Sequence, residues 1–337
     1  MMIVDLRSDT VTKPTPGMLE AMFSAKVGDD VFGEDETINE LENKAAKIFG
    51  LEAGIFCPSG TMTNQIAIKC FTQPMDELIA DQTAHVYRYE GGGVAFNSGV
   101  STRLLNGDRG ILSADMIEPE INAENVHHPH TSLVVLENTV NRGGGSCYTL
   151  EQIKPIATLC KTKGLKLHLD GARIFNALIK TGDNGIDYGK FFDGISVCLS
   201  KGLGAPVGSV FLADKETIKY ARRVRKVFGG GMRQAGFLAA AGIYALDHHL
   251  ERLSIDHAHA QVLAEELKKC PWVKNVLPAE TNIVVFDTVE PASDVLKKLA
   301  AHGIKALSTH QHRIRFVLHL DIHPEQVEHV VKVLGSI

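Results

Sequence analysis

A lysine stands close to the end of an apolar segment. Lys201 follows the apolar run 195–199 by one residue, and glycines occupy positions 202 and 204. A partly buried lysine in such a place can act as a nucleophile and form a Schiff base with an aldehyde. The glycines allow a bulky group to approach the backbone closely. We therefore interpret Lys201 as the attachment point of an aldehyde cofactor, rather than as a lysine that reaches solvent at a loop edge.

An acid and an arginine follow a second apolar run. Residues 167–173 read LHLDGAR, so Asp170 stands at the end of the run and Arg173 comes three residues later. A carboxylate in this place can hold a pyridine nitrogen protonated, which makes a pyridoxal phosphate (PLP) ring an electron sink. Arg173 can donate to a phenolate or to a substrate carboxylate in a fork geometry. By itself the segment fits equally well a helix N-cap followed by a surface arginine.

Two glycine-containing segments have the composition of anion-binding turns. Residues 57–64 (CPSGTMTN) lie between an apolar run and a helix-like stretch, so Gly60 and Thr61 would present N–H groups and a hydroxyl to a phosphate. Residues 228–234 (FGGGMRQ) set three glycines before Arg233, which could face an anion. Taken singly, the first segment also fits a plain helix N-cap and the second a flexible surface loop.

The elements that must position these residues alternate between strand-like and helix-like patterns. Short apolar runs end in polar or glycine-rich turns and read as buried strands at 78–80, 133–136, 165–169, 195–199 and 207–212. Residues 150–163 carry apolar side chains on one helical face, and Gly164 ends that pattern. Strands alternating with helices predict an α/β fold with a mostly parallel sheet, whose ligands bind at the carboxyl ends of strands.

The pattern changes near residue 247. Helices are expected at 250–267, 292–302 and 325–334, and strands at 282–286 and 313–319. This arrangement predicts a smaller α+β unit of ordinary domain size after a large domain. We place the large domain, with an N-terminal arm, at residues 1–248 and the small C-terminal domain at residues 249–337.

Composition excludes several classes of protein. The 337 residues are 44% hydrophobic and 22% charged with a net charge of −5, and no basic block suggests a nucleic-acid or membrane partner. Six cysteines form no CxxC pair, which favours free thiols in a reducing compartment. Charges at Asp5 and Arg7 interrupt the N-terminus too early for a signal peptide, so we expect a cytoplasmic protein.

Several of these motifs together resemble those of one family. The matching segments are 5–12 (DLRSDTVT), 27–31 (VGDDV), 168–173 (HLDGAR), 199–204 (LSKGLG) and 229–234 (GGGMRQ). In this order they resemble the low-specificity L-threonine aldolases, within the β-eliminating lyase group of fold-type I PLP enzymes. The resemblance extends from residue 3 to residue 321. It implies an aspartate-aminotransferase-like fold and cleavage of L-threonine, L-allo-threonine and related β-hydroxy-α-amino acids to glycine and an aldehyde, which is acetaldehyde for threonine.

The resemblance also implies roles for individual residues. For the cofactor it implies that Lys201 carries PLP, that Asp170 pairs with the pyridine nitrogen, and that His85 stacks on the ring. Gly60 and Thr61 are expected to bind the phosphate, with Arg233 near it or near the site of a neighbouring subunit. The family is usually tetrameric, with active sites between subunits, so a homotetramer is expected.

For the substrate, the resemblance implies that Ser8, Arg173 and Arg315 hold the carboxylate. Tyr89 belongs to the aldehyde pocket, where some relatives carry phenylalanine. His127 matches a histidine near the substrate hydroxyl, so either His85 or His127 is the candidate base, the latter through a water.

Other functions remain open at this stage. One is another PLP-dependent lyase that eliminates a β-substituent or cleaves a Cα–Cβ bond, and another is a PLP-binding regulatory module without turnover. A nicotinamide-dependent dehydrogenase has a similar architecture, but no GxGxxG follows the first strand. The histidine pairs 257/259 and 310/312 lack a third ligand at zinc spacing, so we expect surface histidines and no metal site.

Overall fold

The computed structural model describes residues 2–337. The strands of the central sheet are β2 (Ala53–Cys57), β3 (Asp76–Asp81), β4 (Ser101–Leu105), β5 (His130–Glu137), β6 (Lys166–Gly171), β7 (Gly194–Cys198) and β8 (Ser209–Ala213). They form a seven-stranded sheet in the order β2-β8-β7-β6-β5-β3-β4. The pairs from β7 to β4 are parallel, whereas β8 runs antiparallel to both β2 and β7. The predicted mostly parallel α/β sheet is confirmed.

Helices cover both faces of this sheet, which explains the continuous apolar runs in its strands. They are α1 (Pro16–Phe23), α2 (Glu36–Phe49), α3 (Gly60–Phe71), α4 (His85–Arg88), α5 (Ala114–Ile117), α6 (Leu150–Lys163), α7 (Ile174–Thr181), α8 (Gly185–Gly189), α9 (Lys215–Val227) and α10 (Gly236–His248). Along β3, Ile79 packs into one hydrophobic cluster, while Leu78 and Ala80 pack into another. Because successive strand side chains point to opposite faces, the sheet has a core on each side.

The helix predicted at residues 150–163 shows how local signals set helix ends. Thr149 caps α6 by accepting from the Gln152 N–H, and the Gln152 side chain accepts from the Thr149 N–H. Gly164 adopts the left-handed conformation (φ 73°) and ends the helix. This capping box and glycine stop explain why the sequence prediction and the structure agree at both ends.

The C-terminal part of the chain forms a second sheet. Its strands and helices are α11 (Leu253–Leu267), β9 (Val273–Val276), β10 (Ile283–Thr288), α12 (Ala292–Ala301), β12 (Leu307–His310), β13 (Arg313–Val317) and α13 (Pro324–Leu334). The strands pair antiparallel in the order β12-β13-β10-β9. Elements were predicted in all these places except β9 and β12.

The start of the chain packs with this C-terminal unit. Strand β1 (Val4–Asp5) pairs in parallel with β11 (Ile304–Lys305). The side chains of Val4 and Leu6 are fully buried in the small unit's hydrophobic cluster. The expected division into domains at residues 1–248 and 249–337 stays a prediction. The structure adds that the first residues of the chain pack into the core of the smaller unit.

One histidine prediction is wrong. His257 is a buried residue rather than a surface one, and its Nε2 lies 2.9 Å from Asn176 Oδ1. Burial lowers the pKa of His257 to about 4, so this imidazole is neutral at physiological pH. Within residues 2–337, no helix combines the length and hydrophobicity needed to cross a membrane.

Candidate active site

The candidate residues meet at one edge of the central sheet. Asp170 pairs in register with Glu137 of β5 and with Ser196 of β7, and Lys201 follows the end of β7. The charge of Lys201 acts on the pKa of both Asp9 and His85, which places its ammonium group near these side chains. The candidate residues Asp170 and Lys201 therefore lie at the carboxyl ends of neighbouring parallel strands, where α/β folds bind their ligands.

Two donors orient the Asp170 carboxylate, which is only 2% exposed. Its Oδ2 accepts from Asn64 Nδ2 at 3.0 Å, and its Oδ1 accepts from the backbone N–H of Ala172 at 3.2 Å. Asn64 belongs to α3, the helix that begins at the predicted phosphate turn. Helix α3 thus connects the turn that is predicted to bind a phosphate with Asp170, the carboxylate that is predicted to pair with a pyridine nitrogen.

A buried carboxylate missed by the sequence analysis holds His85. His85 Nδ1 lies 2.9 Å from Glu90 Oε1, and Glu90 also accepts from Asn64 Nδ2 at 2.9 Å and from Gln65 Nε2 at 2.7 Å. Burial disfavours the imidazolium, but the hydrogen bond to Glu90 and the negative charges of Asp170 and Glu90 together outweigh burial and raise the pKa of His85. The only sequence signal for Glu90 is its place before the glycines 91–93.

These three groups also have the separation of possible metal ligands. Atoms of His85, Glu90 and Asp170 lie within 4.8 Å of one another. Asn64 donates to both carboxylates, which accounts for their closeness through hydrogen bonds. The three groups therefore place an imidazole close to two buried acids.

A second buried acid, Glu137, was also missed. It ends β5 and accepts from the backbone N–H groups of His85 and Asn141, each at 2.9 Å. Burial, together with the negative charge of Asp170, raises the pKa of Glu137 to about 7. The carboxylate of Glu137 therefore holds two segments in place at once, the start of α4 at His85 and the loop after β5 at Asn141.

The predicted phosphate turn fits an anion. Gly60 begins α3, a helix of 12 residues, after the N-cap residue Ser59. Strand register sets Cys57 and Cys198 beside Ser209, which brings the turn and the lysine loop next to one another. Ser209 Oγ is buried with no hydrogen-bond partner among residues 2–337, and it lies 3.5 Å from the position of a Cβ at Gly60. The N–H groups at the start of this helix and the unpartnered hydroxyl of Ser209 suit a phosphate.

The arginine predicted to bind substrate, Arg173, is paired with an acid. Its Nε and Nη2 donate to the two carboxylate oxygens of Asp9, at 2.7 and 2.8 Å, and both residues are buried. Although burial raises the pKa of Asp9, the charge and hydrogen bonds of Arg173 lower it to about 2. Arg173 is therefore a fixed cation whose remaining donors can serve a ligand.

Arg315 reaches the same place from the small sheet. Its Nη1 donates to Asn141 Oδ1 at 2.6 Å and its Nη2 to the Arg7 carbonyl at 3.1 Å, while its buried Nε has no partner among residues 2–337. Burial, and then the nearby Arg173, lower the pKa of Arg315 to about 10. Ser8 stands between Arg7 and Asp9 in the chain, so a single chain brings the three predicted carboxylate-binding residues together.

A cavity of about 260 Å³ opens between the two units. It is lined by His85, Tyr89, Asn141, Arg142, Leu307, Ser308, Thr309 and Arg315. The ring centroids of His85 and Tyr89 are 5.6 Å apart. The cavity is therefore lined by an imidazole and by two arginines, which suits a small amino acid held by its carboxylate.

Two predicted residues do not reach this cavity within one chain. His127 is exposed on the loop before β5, whereas the site lies at the far end of that strand, roughly 20 Å away for an eight-residue strand. Arg233 is exposed, and its Nη1 donates to Asp29 Oδ2 at 2.8 Å rather than facing the phosphate turn. The loop that carries it comes close at Gly230, where a Cβ would lie 2.2 Å from Met62 Sδ.

Comparison with known proteins places this geometry in context. Residues 5–291 match the family model described as "Beta-eliminating lyase". The chain is 43% identical over 343 residues to a protein of Arabidopsis thaliana named "Probable low-specificity L-threonine aldolase 2", covering 99% of this chain and 97% of that protein. It is 40% identical over 330 residues to the "Low specificity L-threonine aldolase" of Escherichia coli K12, covering 97% of each.

Solved structures show the same fold at low sequence identity. The threonine aldolase of Leishmania major superposes with a TM-score of 0.87 at 20% identity, over 98% of both chains. The serine palmitoyltransferase of Sphingomonas wittichii superposes with a TM-score of 0.76 at 16% identity, over 99% of this chain and 86% of that one. These likenesses confirm the fold-type I architecture expected from the sequence.

Proposed function

The chain belongs to the β-eliminating lyase family, and on that premise we propose that it cleaves L-threonine and L-allo-threonine to glycine and acetaldehyde. It is a lyase, and its family and its fold-type I structural neighbours are PLP-dependent enzymes. The observation that carries the proposal is the clustering of Asp170 and Lys201 near His85, which lines one cavity together with Arg315. Two relatives that span nearly the whole chain carry the aldolase name.

Bound PLP supplies a ring that accepts the electrons of the breaking Cα–Cβ bond. We propose that Lys201 holds this cofactor covalently, that Asp170 faces its pyridine nitrogen and that His85 lies against its ring. The N–H groups of Gly60 and Thr61, joined by the unpaired Ser209 hydroxyl, would bind the phosphate. Asn64 and Glu90 keep Asp170 and His85 in place through hydrogen bonds.

The substrate carboxylate would bind where Ser8, Arg173 and Arg315 meet. Arg315 has a free buried Nε, and Arg173 is held in orientation by its two bonds to Asp9. Binding the carboxylate there fixes the rotation about Cα, which decides which bond of the substrate breaks. Tyr89, which also lines the cavity, would contact the departing aldehyde.

A base must remove the proton of the β-hydroxyl. Within one chain, His85 lines the cavity, and its Nδ1 is engaged by Glu90, which leaves Nε2 as the available nitrogen. We propose that the imidazole of His85 takes the proton when it is neutral. His127 can act on this cavity only from a neighbouring subunit, because it lies at the opposite sheet edge of its own chain.

We further propose a homotetramer whose active sites lie between subunits. His127 and Arg233 are both exposed and neither lines the cavity of its own chain, which supports this assembly. All six cysteines are free thiols, which is consistent with the reducing cytoplasm as the compartment. In the cell the reaction would consume threonine and supply glycine.

The test uses the purified protein with PLP. We expect a visible absorption band that borohydride abolishes, and release of glycine from L-threonine only before reduction. Lys201→Ala should lose the reducible band and turnover, whereas Lys190→Ala, which removes an exposed lysine paired with Asp187, should keep both. Wild-type turnover in Lys201→Ala would refute the scheme. Release of pyruvate from L-serine or a β-substituted alanine, without glycine from threonine, would support a β-eliminating lyase. Bound PLP without turnover would support a regulatory module.

A further inference from the structure

Two arginines line the cavity without an acid to neutralise them. Among residues 2–337, neither Arg142 nor Arg315 lies within 4.0 Å of a carboxylate oxygen, whereas Arg173 is paired with Asp9. The positive charge of Arg142 reaches Arg315, since it contributes to the lowered pKa of Arg315 after burial and after Arg173. Two unpaired cations at one small cavity favour a ligand that carries more than one negative charge.

Arg142 is held on the side of the cavity expected to receive the aldehyde. Its guanidinium carbon lies 5.0 Å from the centroid of the Tyr89 ring, and its Nη1 donates weakly to the Thr309 carbonyl at 3.4 Å. The ring of Tyr89 is in turn 5.6 Å from that of His85. Stacking keeps the guanidinium plane in place but satisfies none of its N–H groups. The remaining donors therefore have room for a carboxylate.

The substrate carboxylate expected at Arg315 accounts for only one of these charges. An α-amino acid has a single α-carboxylate, and Arg315 has Arg173 near it and the Arg7 carbonyl bonded to it on the side where that carboxylate is expected. A second anionic group on the substrate would have to stand on the β-carbon to approach the stacked pair of Tyr89 and Arg142. A methyl group there, as in threonine, would leave the guanidinium without a partner.

We propose that this enzyme also cleaves β-hydroxy-α-amino acids whose β-carbon carries a carboxylate, and that Arg142 binds that carboxylate. The inference rests on the proposed function and assigns a substrate class to the same cavity. For 3-hydroxyaspartate the Cα–Cβ bond breaks, the β-hydroxyl gives up its proton and becomes the carbonyl of glyoxylate, and Cα gains a proton to give glycine. Atoms balance, and no oxidant or reductant is needed.

The experiment compares kcat/KM for L-threonine with kcat/KM for the threo and erythro isomers of L-3-hydroxyaspartate in the holoenzyme. Arg142→Gln should lower the value for hydroxyaspartate by about tenfold or more, as expected for loss of a charged hydrogen bond. Its kcat/KM for L-threonine should change by less than about threefold, because threonine offers that guanidinium only a methyl group. Arg142→Lys should retain part of the preference, because it keeps the charge without the fork.

Arg88→Gln is the matched control. Arg88 also stacks on a tyrosine, with its guanidinium carbon 5.6 Å from the Tyr87 ring, and also donates to a backbone carbonyl, that of Gln82. It does not line the cavity. Its substitution should leave the ratio of the two kcat/KM values unchanged.

A binding measurement on the unaltered enzyme provides a second readout. L-Aspartate has the second carboxylate but no β-hydroxyl, so it binds without cleavage, and L-alanine lacks both groups. We expect L-aspartate to bind more tightly than L-alanine, with an advantage that falls as salt rises and disappears in Arg142→Gln.

Each alternative result has a distinct meaning. Cleavage of threonine with no cleavage of either hydroxyaspartate isomer, or equal binding of aspartate and alanine, overturns the inference and leaves the proposed function intact. An equal loss for both substrates in Arg142→Gln would place Arg142 at the α-carboxylate and also overturn it. Failure to release glycine from any of these substrates would refute the proposed function itself.

Discussion

Replacing Asp9 by asparagine tests the buried ion pair that orients Arg173. The substitution keeps the shape of the side chain but removes the negative charge that accepts from Arg173 Nε and Nη2 at 2.7 and 2.8 Å. Asp9 is fully buried and Arg173 is 6% exposed. The guanidinium would remain in the interior without a counter-charge. Breaking a buried pair from one side costs about 3–5 kcal/mol of unfolding free energy, so we expect a loss of that size.

The pKa of Asp9 gives a second, independent magnitude. Arg173 holds this pKa at about 2 instead of 3.8, despite the opposing effect of burial. The difference corresponds to roughly 2 kcal/mol of stability that the ionised carboxylate contributes. Because the folded pKa is below the unfolded one, this contribution is complete above about pH 4 and is lost as the pH falls towards 2.

The assay is urea unfolding of the cofactor-free protein at pH 7, followed by far-ultraviolet circular dichroism and by tryptophan fluorescence. Asp5→Asn is the matched control, since Asp5 also accepts from an arginine, Arg7, but the pair is half-exposed and screened by water. We expect Asp9→Asn to lose several times more unfolding free energy than Asp5→Asn. Below pH 4 the gap between the wild type and Asp9→Asn should narrow. Equal and small losses in both variants would refute the reasoning that the buried pair holds Arg173.

Two further predictions concern the histidines. Glu90→Gln removes the carboxylate that raises the pKa of His85, so in NMR titrations of the cofactor-free protein the His85 imidazole should titrate at lower pH. Glu251→Gln, which changes an exposed acid elsewhere, should not move the His85 titration. An unchanged His85 titration in Glu90→Gln would contradict the assignment of Glu90 as its partner. If His127 serves a neighbouring subunit, the variants His127→Phe and Lys201→Ala should each have low aldolase activity. Unfolding the two variants and refolding them together in equal amounts should restore about a quarter of wild-type activity. A quarter is the fraction of sites that combine an intact Lys201 from one chain with an intact His127 from its neighbour. No recovery on mixing would exclude the shared site.

Local signals in the sequence determined the elements and the central site residues. The capping box at Thr149 and the stop at Gly164 fixed α6 to the residue, because both act within a few positions of the helix ends. Lys201 and Asp170 could be singled out because each stands at or just beyond the carboxyl end of an apolar strand, and parallel strands bring such residues to one edge of the sheet. The turn at residues 57–64 likewise predicted Gly60 and Thr61 as phosphate-binding residues.

Other features depended on contacts between distant parts of the chain. The pairing of β1 with β11 joins residues about 300 positions apart, and no local pattern specifies that partner. The antiparallel direction of β8 is likewise set by its neighbours β2 and β7, since an apolar run reads the same in either direction. His257 is buried because its helix packs against Asn176 of α7, which the pattern of α11 alone did not reveal.

Contacts between distant parts of the chain also explain which site residues could not be predicted from the sequence. Glu90, Glu137 and Ser209 have no distinctive neighbours in the chain, and each gains its position from residues of other elements. Arg142 is an ordinary loop arginine until the fold places it on the ring of Tyr89. The sequence thus determined the class of chemistry through residues whose neighbours in the chain are diagnostic. Only the tertiary structure decided how the charges around the cavity are paired, because electrostatic pairing depends on distance in space and on burial.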